Sequence, residues 1–132
     1  MRSTFLLLAL CALLAGCESE PIRQMSQDFQ SLFETPKGEA ELAAGIRSYE
    51  DGNYNVARRQ LGSALKAGLN SFGQIKAHKY LAFIYCASGQ ESRCREEFQQ
   101  VLHIAPNFEL EPAEAGHPTW GPVFKSVKEQ QK

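Results

Sequence analysis

The chain has 132 residues, with 14 lysines and arginines against 15 aspartates and glutamates and a formal net charge of −1. That balance, with no basic stripe and no interleaving of basic and aromatic residues, excludes electrostatic capture of nucleic acid. The length leaves room for one small domain.

Arg2 supplies a short basic segment, Phe5 to Leu14 form an apolar run, and the run ends in Leu14-Ala15-Gly16-Cys17. It is too short for a permanent membrane span and polar residues follow at once, which predicts a cleaved signal over residues 1–16. Small side chains at 15 and 16 admit the chain to a narrow peptidase site, and the thiol after them is open to alkylation. These four residues resemble the lipobox of bacterial lipoprotein precursors. The resemblance implies cleavage before Cys17, then lipidation of Cys17 by diacylglycerol and palmitate-type acyl chains. Each buried CH₂ then contributes about 0.8 kcal/mol to attachment. Glu18 stands where many inner-membrane lipoproteins carry aspartate, which implies an outer-membrane anchor facing the periplasm. An ordinary secretory signal with an incidental cysteine is the alternative.

Residues 17–37 read as a lipidated tether and an amphipathic helix. Ile22, Met25, Phe29, Leu32 and Phe33 share one helical face across residues 22–34, and a stripe of that size is expected to pack on the remainder of the chain.

Residues 35–106 read as helices punctuated by glycines. One unit, residues 38–71, contains Gly45, Gly52, Tyr54, Ala57, Leu61, Ala64 and Leu65. A second, residues 75–108, contains His78, Leu81, Ala82, Tyr85, Gly89, Cys94, Phe98, Leu102 and Pro106. Both resemble the tetratricopeptide repeat (TPR), whose 34 residues run W-x₂-L-G-x₂-Y, then A-x₃-F, then P. The resemblance implies an all-α fold of TPR-like antiparallel helix pairs over residues 38–132. About two repeats are expected, flanked by an N-terminal helix and a C-terminal capping helix. Small residues facing each other, Gly45 against Ala57 and Ala82 against Cys94, would let each pair approach closely. Gly52 and Gly89 would end the first helix of each pair, and Ser71-Phe72-Gly73-Gln74 fits a capping box opening the second pair. Trp120, Val123, Phe124 and Val127 recur at i, i+3, i+4 and i+7 and predict the capping helix over residues 119–130. A generic helical bundle with coincidental glycines is the other reading.

Cys11 would leave with the signal and Cys17 would carry lipid, so Cys86 and Cys94 remain as a pair for an oxidising compartment. The turn at Gly89 brings their helices together, and a disulfide is expected, with two free thiols as the alternative. His78, His103 and His117 occur singly. No nucleophile elbow, phosphate loop, dinucleotide motif or metal-ligand spacing is present in the sequence. The chain therefore reads as a binding protein, not an enzyme. No catalytic residue, metal, cofactor or small-molecule substrate is expected.

The first helix of each TPR pair lines a concave groove, and the alignment puts Leu42, Ile46, Tyr49, Lys79 and Phe83 there as the partner-binding surface. Apolar residues with lysines at one rim suit an amphipathic helix of a protein partner, or the chain's own helix over residues 22–34. The lysine and asparagine of the family's carboxylate clamp are replaced by Leu42 and Ile46 in the first unit. The runs AHKYLAFIYCASG and AEAGHPTWGPVF, behind a lipobox, resemble TPR-type lipoproteins associated with type VI secretion. That resemblance implies a membrane-anchored scaffold for a component of the secretion machine. The alternative is a pilotin-like carrier that escorts a pore subunit to the outer membrane.

Overall fold

Glutamates at 39 and 41 meet the positive end of a helix dipole, where carboxylates are stabilising, and α1 runs over Glu39–Glu50. The computed structural model describes residues 36–131. The signal, Cys17 and the amphipathic stretch over residues 22–34 lie outside the described residues. After α1 come α2 (Tyr54–Ala67), α3 (Ser71–Ala87), α4 (Glu91–Ile104), a short α5 (Pro112–Ala115) and α6 (Gly121–Glu129), with no strand among the described residues.

The two long hairpins turn in the same way. At the first, Gly52 takes φ 76°, its N–H donates to the Tyr49 carbonyl at 3.0 Å, and Asn53 N–H donates to Ser48 at 2.8 Å. At the second, Gly89 takes φ 75°, its N–H donates to Cys86 at 3.1 Å, and Gln90 N–H donates to Tyr85 at 2.8 Å. A left-handed residue just past a helix end satisfies carbonyls that would otherwise lack partners, and glycine adopts it without a Cβ penalty.

The start of α3 differs from the sequence expectation by one residue. The cap is Asn70, not Ser71: its side-chain oxygen accepts from Gly73 N–H at 2.8 Å, while Gln74 Nε2 donates back to the Leu69 carbonyl at 2.8 Å. Asn70 holds the extended backbone, φ −67° and ψ 169°, that lets a side chain reach the first-turn amides. At the other end α6 starts at Gly121, two residues later than expected, with Pro122 inside its first turn, where a missing N–H is harmless.

Helices α1 and α2 pair antiparallel, as do α3 and α4; α3 also packs on α1 and α2, and α6 packs on α4. The core forms two clusters. Leu42, Ala57, Leu61, Ala64, Leu69, Ala77, Leu81 and Ile84 make the first. Ala82, Phe83, Cys86, Cys94, Phe98, Leu102, Leu110, Phe124 and Val127 make the second. Tyr49, Tyr80 and Tyr85 pack against both clusters and join them. The close approach at Gly45 is to Leu61, one turn beyond Ala57: a Cβ at Gly45 would lie 2.8 Å from the Leu61 side chain. Ala57 is itself fully buried, so both small residues serve close packing, but they are not each other's nearest neighbours. Phe124 and Val127 of α6 are buried against the second pair, as a cap on the last repeat requires.

A candidate docking face along α3

An aromatic ladder crosses the described domain from the start of α2 to the loop before α6. Ring centroids are 5.4 Å apart for Tyr54 and Tyr49, 5.0 Å for Tyr49 and Tyr80 and 6.0 Å for Tyr80 and Phe83. Phe83 then stacks on Trp120 at 4.5 Å, and Trp120 on His117 at 3.4 Å. Offset and edge-on ring pairs of this kind add to simple burial. Burial pushes the Tyr49 hydroxyl up to about 12, with Tyr54, Tyr80 and Glu114 adding to the effect. Burial likewise raises Tyr80, followed by Glu114 and Glu50. Both hydroxyls therefore stay neutral donors at any physiological pH.

The expected groove residues separate into two groups. Ile46, Tyr49 and Lys79 are half-buried on the α1/α3 side. Leu42 and Phe83 are not surface residues: Leu42 belongs to the first core cluster, and Phe83 is 2% exposed. The cover over Phe83 is the segment Glu114–Trp120. Trp120 stands just ahead of α6, and its indole N–H donates to the Glu114 carbonyl at 3.0 Å. The Glu114 carboxylate in turn accepts from Lys79 Nζ at 2.5 Å. Phe83 is thus a corrected assignment: a self-made cover takes the place expected for a partner. The helix over residues 22–34, the other expected occupant, lies outside the described residues. Sequence periodicity counted Trp120 on the α6 face, because spacing alone cannot show that its ring turns back onto α3.

Phe72 lies outside the groove alignment, whereas Lys76 is one of its rim lysines. Phe72 is the most exposed large apolar side chain among the described residues, at 67%, and Lys76 Nζ sits 4.5 Å from its ring centroid. Helix α3 is long enough to add a turn ahead of the repeat, and that turn carries Phe72. The i, i+4, i+7, i+11 spacing of Phe72, Lys76, Lys79 and Phe83 was the available signal for a single face.

Cys86 and Cys94 are joined, with an S–S distance of 2.07 Å and a Cα–Cα distance of 5.2 Å. The bond ties the end of α3 to the start of α4 within the second core cluster. His78 bridges the same two helices through Nδ1, 2.6 Å from Glu97 Oε2. His117 Nδ1 accepts from Thr119 N–H at 3.2 Å, and His103 is exposed. Among the described residues no group of three or more histidine, cysteine or acidic side chains is placed to hold a metal ion, and no helix is long and apolar enough to cross a membrane. A cavity of about 690 Å³ lies between residues 109–118 and α6, floored by Leu110, Pro118, Pro122 and Phe124.

Repeated helix hairpins, matching glycine turns and an aromatic face define the class: an all-α protein of TPR-like antiparallel helix pairs. The chain is 33% identical over 63 residues to the Photosystem I assembly protein Ycf3 of Synechococcus sp. (strain CC9605), a TPR-type protein. That stretch covers 48% of this chain and 36% of the relative, so the chain spans about a third of that relative's length. No family model and no solved structure matches the chain. Fold and likeness agree on TPR-like antiparallel helix pairs.

Proposed function

We propose that the protein is a lipid-anchored periplasmic adaptor, held to the outer membrane through Cys17 and binding a protein component of an envelope machine, the type VI secretion system. The observation that carries the adaptor role is the half-open aromatic face. Tyr49 and Tyr80 lie half-buried on it, with Lys76 at its edge, and the two stacked hairpins hold it rigid. Such a face is pre-organised for a protein segment and carries no group suited to bond-making chemistry. The lipobox residues Leu14-Ala15-Gly16-Cys17 support the anchor, the Cys86–Cys94 bond suits an oxidising compartment, and the runs at residues 77–89 and 113–124 support the secretion system.

Two measurements test this reading. Labelled palmitate should enter the wild-type protein in membranes and not the Cys17→Ser variant; equal labelling removes the anchor. Site-specific cross-linking from Ile46 and Tyr49 in cells should trap a sheath, baseplate or membrane-complex component, and deletion should abolish secretion with outer-membrane pore subunits correctly located. Mislocalised pore subunits would instead establish the pilotin-like carrier. Intact secretion with no cross-link would leave no adaptor role in this system.

A further inference from the structure

Helix α3 sets a lysine one turn from a phenyl ring twice on one face, in opposite order: Phe72 precedes Lys76, and Phe83 follows Lys79, whose ammonium also lies 5.1 Å from the Tyr80 ring. Lys79 Nζ lies 5.6 Å from the Phe83 ring, and Lys76 Nζ lies 4.5 Å from the Phe72 ring. In each case a lysine cation shares the stripe with a phenyl ring one turn away. The Lys79/Phe83 pair is filled by the chain itself. Glu114 takes the ammonium at 2.5 Å, and Trp120 stacks on the ring at 4.5 Å with the planes 24° apart. The Lys76/Phe72 pair is open: Phe72 is 67% exposed, and among the described residues no carboxylate pairs with Lys76.

We infer that Lys76 and Phe72 form a second docking site, which takes a protein segment carrying a carboxylate and an aromatic ring, the two groups that Glu114 and Trp120 supply at the first, here running in the opposite direction along α3. The occupied pair displays the recognition chemistry. A carboxylate neutralises a lysine whose stem lies along apolar surface, and a flat ring covers the phenyl beside it. The open pair offers the same two groups, cation and ring. Leaving a phenyl ring bare costs hydrophobic free energy in proportion to its area, and an acidic aromatic segment would remove that surface from water while pairing the charge. The site lies on the same helix as the adaptor face and rests on that reading, to which it adds the chemistry of the partner.

The probe is a blocked synthetic peptide of sequence EAGHPTW, that of residues 114–120, titrated into the ¹⁵N-labelled full chain. Amide shifts should centre on residues 71–76. Phe72→Ala and Lys76→Glu should each weaken binding about tenfold with helicity unchanged, since neither side chain is buried. The same peptide with glutamine and alanine in place of its glutamate and tryptophan should not bind. The inference is overturned by the absence of binding up to millimolar peptide. Equal binding of the control peptide, insensitivity to both variants, or shifts confined to Lys79, Phe83 and the C-terminal segment would also overturn it. Concentration-dependent association of the protein alone that Phe72→Ala abolishes would assign the face to a second copy. Shifts of residues 22–34 in Lys76→Glu without peptide would assign it to the chain's own segment. If the peptide fails while cross-links from Ile46 and Tyr49 persist, only this inference falls and the adaptor role stands.

Discussion

Gly45→Ala tests how tightly the first hairpin is closed. A methyl group there would lie 2.8 Å from both Cγ and Cδ2 of Leu61 and 3.1 Å from the Leu61 backbone nitrogen. Leu61 is fully buried, so its side chain cannot swing into solvent, and overpacking of this kind costs about 1–3 kcal/mol. Replacing a helical glycine with alanine returns about 1 kcal/mol through the unfolded chain. The net expectation is a loss of about 1 kcal/mol, equivalent to a fall of about 4–8 °C in Tm for a domain of this size. Leu61→Ala alone should cost about 2–5 kcal/mol through the cavity it leaves. In that background the colliding carbons are gone, and Gly45→Ala should now stabilise the protein by up to about 1 kcal/mol. The sign reversal is measured by a double-mutant cycle in urea, following the fluorescence of Trp120, the sole tryptophan. Equal losses in both backgrounds would refute the close approach of α1 and α2 at this point.

Reducing the Cys86–Cys94 bond, or replacing both residues with alanine, should lower stability by about 2–3 kcal/mol, the loop-closure value for so short a loop; an unchanged urea midpoint in reductant would contradict this. Tyr49 gives a pH dependence of definite sign. The unfolded phenol loses its proton near pH 10 and the folded one only near 12. Unfolding therefore releases a proton in that window, and stability falls as pH rises through it. Tyr49→Phe should show a shallower loss between pH 10 and 12, and identical profiles for the two proteins would reject the burial of that hydroxyl. Phe83→Glu should unfold the second hairpin rather than weaken a surface, because it places a carboxylate at a site only 2% exposed. A folded, fully helical variant in circular dichroism would mean that Trp120 does not cover this residue.

The helices and their order were legible from local signals. Gly52 and Gly89 each take the positive φ that ends the first helix of a pair, and the apolar spacing around Ala57, Leu61, Phe98 and Phe124 matches residues that the fold buries. The Asn70 cap fell one residue away from expectation because Asn70 and Ser71 are both good caps and only the backbone angles separate them. The docking face was less legible. Leu42 and Phe83 occupy groove positions in the repeat register, yet one enters the core between helices and the other lies under the returning C-terminal segment. The repeat register says nothing of where the segment between the last helix pair and the capping helix runs, and here Glu114 of that segment reaches Lys79 across 35 positions of sequence.

What this sequence determines by itself is set within a few turns of helix: helix type, the glycine turns, the pairing of neighbouring helices and the apolar stripe of α6. Those follow from backbone propensity and from spacings of three or four residues. Which side of α3 remains open was decided only by tertiary structure. The Trp120 ring lies on Phe83, held there by the hydrogen bond from its indole to the Glu114 carbonyl. Contacts between residues far apart in sequence depend on how whole helices pack, and no local pattern encodes that choice.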